Sequence, residues 1–136
     1  MSFIDSGALS AEEMQRLSHY FADRPTVLVA YLFGSYGRGR ATVHSDVDIA
    51  VLAEQTLSRE QSFDLRLALI DELQGLLHRE AVDVVILNEA PLALRYRVLR
   101  DGQLLFCRDD QLRILYQADM VSRYLDFKPV IERHER

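Results

Sequence analysis

The chain switches several times between two hydrophobic periods. Met14, Leu17 and Phe21 recur at helical spacing behind Ser10 and Glu13, which stand at capping-box distance. They predict a helix over 10–23, stopped by Pro25. "TVLVAYLF", 26–33, is a nearly continuous β-branched and aromatic run and reads as a buried central strand ended by Gly34. "DVDIAVLA", 46–53, predicts a second strand. A long helix follows over 58–78, with Ser58 and Gln61 at capping-box positions and Phe63, Leu67, Ile70, Leu73 and Leu77 on one face. "AVDVVIL", 81–87, is a third strand. Pro91 opens a short helix over 91–100, and Gly102 lies beyond its end. "QLLFC", 103–107, is a short edge strand. A last helix over 109–127 carries the stripe Ile114, Ala118, Val121, Leu125 and closes at Pro129. Leu112, Leu115 and Tyr116 lie partly off that stripe and suggest a second apolar face for a partner.

The order α-β-β-α-β-α-β-α with short connections predicts an α+β protein: a small mixed sheet with helices packed on it. With 136 residues, one domain is expected, its core over 9–107, then the helix and a polar tail, 128–136. The only long irregular stretch, 36–45, is rich in glycine and arginine, and such loops held between strands tend to carry sites.

Two aspartates sit where an apolar strand should not need them. Residues two apart on a strand face the same way, so Asp46 and Asp48 point to one side and Val47, Ile49 and Val51 to the other. Like charges this close need a cation, a donor or a raised pKa. A divalent ion with hard oxygen ligands is the simplest remedy, and Mg²⁺ takes its remaining ligands from water and phosphate. Asp83 would join the pair if the third strand lies beside the second. Three carboxylates can serve two ions about 3.5–4 Å apart, with Asp83 acting as base or as ligand. Gly34 lets backbone N–H groups approach a phosphate, and Ser35 adds a hydroxyl. Arg38 is a candidate phosphate contact, and Arg40 offers a further cation.

Gly34-Ser35, ten residues, then Asp46-Val47-Asp48 resembles the signature of the polymerase-beta-like nucleotidyltransferase superfamily. A preceding helix, an apolar strand before the glycine and a later strand aspartate also match. The chain is most similar to the minimal nucleotidyltransferase (MNT) proteins, among them the MntA antitoxins. The resemblance implies a polymerase-beta-like fold, catalytic and metal-binding roles for Asp46, Asp48 and Asp83, nucleotide binding at Gly34, Ser35 and Arg38, Mg²⁺, and ATP as substrate. It further implies transfer of AMP to a tyrosine of a HEPN-type ribonuclease toxin, which silences that partner within a hetero-oligomer. Two alternatives stand beside it: an antitoxin that acts by binding and occlusion, and a nucleotidyltransferase for a small-molecule hydroxyl such as that of an aminoglycoside. The short chain favours an acceptor that brings its own wall.

Charge and cysteine narrow the setting. A net charge of −5 and the lack of a basic stripe with interleaved aromatics argue against a direct nucleic-acid partner. No apolar run approaches the roughly 20 residues that span a bilayer. No signal peptide is recognisable, and one cysteine, Cys107, fits a reducing cytoplasm. Cys107 is expected to be buried, His44 a polar loop residue, and His78 a complement to the helix dipole.

Overall fold

A computed structural model describes residues 7–42, 44–54 and 57–135. The elements are α1 (Ala11–Ala22), β1 (Val27–Phe33), α2 (Gly34–Gly37), β2 (Val47–Ala53), α3 (Arg59–Leu77), β3 (Val82–Ile86), α4 (Leu92–Asp101), β4 (Gln103–Cys107) and α5 (Asp110–Glu135). Both predicted capping boxes form: Ser10 Oγ accepts the Glu13 N–H at 3.0 Å, and Ser58 Oγ accepts that of Gln61 at 3.1 Å.

The four strands form one mixed sheet in the order β3-β2-β1-β4. β1 is antiparallel to β2 and β4, whereas β2 and β3 run parallel through the α3 crossover. Strands covered on both faces read as continuous apolar runs, which is why β1 and β2 show so little alternation. One face packs on α1 and α3 through Leu17, Phe21, Ile49, Val51, Leu69 and Leu73. The other packs on α4 and α5 through Val29, Tyr31, Ala50, Val98 and Tyr116. Asp48 and Asp83 share the parity of Ala50 and Val85, and so belong to this second face.

The predicted apolar face holds in part on α3 and fails on α5. On α3 Leu73 and Leu77 are buried and Ile70 packs against the core, whereas Phe63 and Leu67 are exposed and the inner line continues through Leu69 and Ser62. On α5 the predicted stripe faces outward: Ile114, Val121 and Leu125 are exposed, as are Leu115 and Ala118. Leu112, Tyr116 and Met120 turn toward the body instead, and Tyr96 of α4 stacks on Tyr124 with centroids 3.8 Å apart. α5 also passes through Pro129 and runs to Glu135. Cys107 is half-buried rather than enclosed.

His78 ends α3 in the left-handed region, at φ 54° and ψ 42°, and its N–H bonds to the Gln74 carbonyl. It is therefore a stereochemical cap, beyond any complement to the dipole. A side chain there is strained, and glycine removes the strain. His78→Gly should stabilise the fold by about 0.5–1 kcal/mol, seen as a higher midpoint in urea.

Candidate active site

β1 ends at Phe33, whose register partner on β2 is Asp48. The chain then turns through Gly34 at φ 65°. A Cβ on Gly34 would collide with Asp48 Oδ2 and lie 3.3 Å from its Cγ. Glycine is thus required twice, for the backbone angle and for the close approach of the carboxylate. The following turn is tightly wound: Arg38 N–H bonds to Gly34 O at 3.1 Å and Arg40 N–H to Ser35 O at 2.8 Å. Tyr36 anchors it. Its ring is buried, and its hydroxyl accepts a 2.7 Å hydrogen bond from Arg79, which also pairs with Glu13. α1, the site turn and the end of α3 are thereby tied together.

Asp46 stands just before β2 and is exposed, one residue short of the predicted strand. The Val47 N–H bonds to Ala81 O at 2.8 Å, which fastens this end of β2 to the entry of β3. Parallel pairing then sets Asp83 beside Asp48. Three negative groups meet at one corner of the sheet. Burial, then the charges of Asp46 and Asp83, push the Asp48 carboxyl up to about 6. Among the described residues no cationic side chain pairs with Asp46 or Asp48, and these hard carboxylates fit a divalent cation such as Mg²⁺. Among the described residues no group of three or more acidic, histidine or cysteine side chains is placed to hold a metal ion, so a cation held by the aspartates would take most of its ligands from phosphate and water.

Asp83 has a partner that the sequence reading missed. Arg66 of α3 donates to Asp83 Oδ1 at 2.7 Å and to the Val84 carbonyl at 2.8 Å. The Val84 N–H also reaches Oδ1, at 2.9 Å, so both hydrogen bonds fall on one oxygen and Oδ2 takes neither. Arg66 falls on the same helical line as Ser62, Leu69 and Leu73, and a charge on that line was the available signal. Arg38 lines a pocket of about 230 Å³ with Phe33, Gly34, Leu94, Arg97 and Asp101. Gly34, Asp48 and Asp83 are thus gathered at one end of the sheet, with Asp46 and Arg38 at its rim. Ser35 follows Gly34 and is half-buried in the turn, whereas His44 is exposed in the loop before Asp46.

Residues 15–111 match the family model described as polymerase beta, nucleotidyltransferase. The chain belongs to this nucleotidyltransferase family. The match spans β1, the glycine turn, β2 and β3, so the fold and the resemblance drawn from the glycine–serine and paired-aspartate spacing hold. A curated relative, protein adenylyltransferase MntA of Shewanella oneidensis, is 37% identical over 102 residues, 74% of this chain and 68% of that protein. A chain of a toxin–antitoxin crystal structure with AMP-PNP superposes with a TM-score of 0.69 at 28% identity, covering 94% of this chain and 100% of that one. A chain from a structure of the tri-AMPylated S. oneidensis HEPN toxin with its MNT antitoxin gives 0.63 at 26% identity, covering 90% and 99%. No helix among the described residues of this nucleotidyltransferase is long and apolar enough to cross a membrane.

Proposed function

We propose that the protein is an antitoxin that transfers AMP from ATP to a tyrosine hydroxyl of a HEPN-type ribonuclease and so silences it. The observation that carries this reading is the fit of Gly34 against Asp48, with Asp46 and Asp83 at the same corner. It pairs a phosphate-accommodating turn with a cation-demanding carboxylate group. The relative named a protein adenylyltransferase and the complexes with AMP-PNP and with an AMPylated toxin supply the nucleotide and the acceptor.

The strand order supports one direction for the reaction. Displacement at the α-phosphate is in line, so nucleophile and leaving group lie on opposite sides of phosphorus. Gly34 and Ser35 leave β1 on one side of Asp48, and Asp83 stands on β3 on the other. The triphosphate tail lies over the glycine turn, with Arg38 against it. The tyrosine hydroxyl enters from the β3 side. Its oxygen bonds to the α-phosphorus as the bond to the β-phosphate oxygen breaks and pyrophosphate leaves. The phenolic proton goes to Oδ2 of Asp83, while Arg66 holds Oδ1 and fixes the carboxylate in place. Asp46 and Asp48 would hold Mg²⁺, with Asp83 beside them, and the ion would screen the phosphate charge and polarise the α-phosphate. ATP and a reducing compartment make the cytoplasm the site of action, with the described chain acting as one nucleotidyltransferase domain.

Intact-mass spectrometry of the partner after incubation with this protein, ATP and Mg²⁺ tests the reading. A gain of one or more AMP units is expected. A stable complex with no gain would indicate silencing by occlusion, and neither gain nor complex would point to a small-molecule acceptor.

A further inference from the structure

The pocket beside Gly34 contains a cation with no assigned work. α4 sets Leu94, Arg97 and Asp101 at i, i+3 and i+7, so one stripe of the helix lines the pocket opposite the glycine turn. Arg97 and Arg38 enter from the two walls, α4 and the turn. Neither guanidinium makes a hydrogen bond among the described residues, and both are exposed. The pocket's one carboxylate does not neutralise them. Both oxygens of Asp101 are taken by Arg100, at 2.9 Å each, and Arg38 and Arg97 only lower its pKa from a distance. A pocket of similar size, about 240 Å³, lies at the opposite end of β1 and β2, and its lining includes Glu54 but no basic residue. That pocket thus lacks the pair of guanidinia found at the end that bears the aspartates.

We infer that Arg97 binds the β- and γ-phosphates of ATP, closing with Arg38 around the group that departs as pyrophosphate. This rests on the nucleotidyltransferase reading above and adds to it a residue from outside the glycine–aspartate motif. Planar guanidinia suit paired phosphate oxygens, and two of them match a diphosphate better than a monophosphate. Arg97 shares its pocket with Phe33, Gly34 and Arg38 and not with Asp46, Asp48 or Asp83, so its contact falls on the phosphates over the glycine turn rather than on the α-phosphate at the aspartates. Arg97 thus selects for a triphosphate and holds the departing charge.

The test is equilibrium titration of ATP, AMP and pyrophosphate, each with Mg²⁺, into wild type, Arg97→Ala and Arg97→Lys, with circular dichroism to confirm folding. Arg97→Ala should weaken ATP and pyrophosphate about ten- to a hundredfold and leave AMP unchanged, with Arg97→Lys recovering part of the loss. Equal ATP affinity in wild type and Arg97→Ala overturns the role of Arg97 and leaves the nucleotidyltransferase reading standing. So does an AMP loss as large as the ATP loss. A wild type that binds neither ATP nor pyrophosphate overturns both.

Discussion

Asp48→Asn should reduce nucleotide transfer by about a thousandfold or more and, at neutral pH without metal, make the protein more stable. The first effect follows from removing a charge from the cation-holding corner of the sheet. The second follows from the cost of that charge when no cation is bound. The Asp48 carboxyl is pushed up to about 6 from 3.8 by burial and by Asp46 and Asp83. The folded state therefore holds its proton more tightly than the unfolded chain does. Ionising Asp48 costs nothing below about pH 4, costs progressively more up to pH 6, and carries its full penalty above that. Asparagine has no such penalty. Because Asp48 is only partly buried, solvent screens much of it, leaving about 1 kcal/mol, or about 3–5 °C in melting temperature. Thermal melts in chelator at acid and neutral pH, beside single-turnover transfer assays, check both halves. Retained transfer, or a variant less stable than wild type at neutral pH, would contradict the site.

Gly34→Ala should be nearly as damaging to transfer, with a loss above about a hundredfold, for a purely steric reason. The new methyl strikes Asp48 Oδ2 and moves the carboxylate. It also forces alanine to φ 65°, which costs about 1–2 kcal/mol. Gly39 separates the two effects. Its φ is 69°, yet a Cβ there meets nothing within 4 Å. Gly39→Ala should thus lose similar stability and keep most of its transfer activity. If both variants lose transfer equally, backbone strain rather than contact with Asp48 explains the effect.

The glycine–serine and paired-aspartate spacing was legible because it is local: one turn, one strand, fixed offsets. Asp83 was legible only once β3 was placed beside β2. Arg66 and Arg97 were not, since each reaches the site from a helix and no short spacing connects them to the motif. The misread helix faces have a common cause. The inner line of α3 passes through Ser62 and Arg66, and the inner side of α5 includes Gln117, which hydrogen-bonds the Tyr31 hydroxyl at 3.1 Å. Polar residues with a defined partner weaken the apolar signal on the buried side. Meanwhile Phe63, Ile114 and Leu125 strengthen it on the exposed one. Ordinary periodicity then selects a face that is rotated on α3, where Ile70, Leu73 and Leu77 still turn inward, and wrong on α5.

The placing of β1 has a bearing on how the chain matures as it is made. Of the four described strands β1 is the first to emerge from the ribosome, and its second neighbour, β4, is the last. Until β4 is released, the apolar segment Val27–Phe33 has one open edge, a template for pairing with other nascent chains. Its remote closing contacts also slow folding. A ribosome stalled before Gln103 would display a βαβ unit with one unpaired flank, which closes only when β4 pairs with β1.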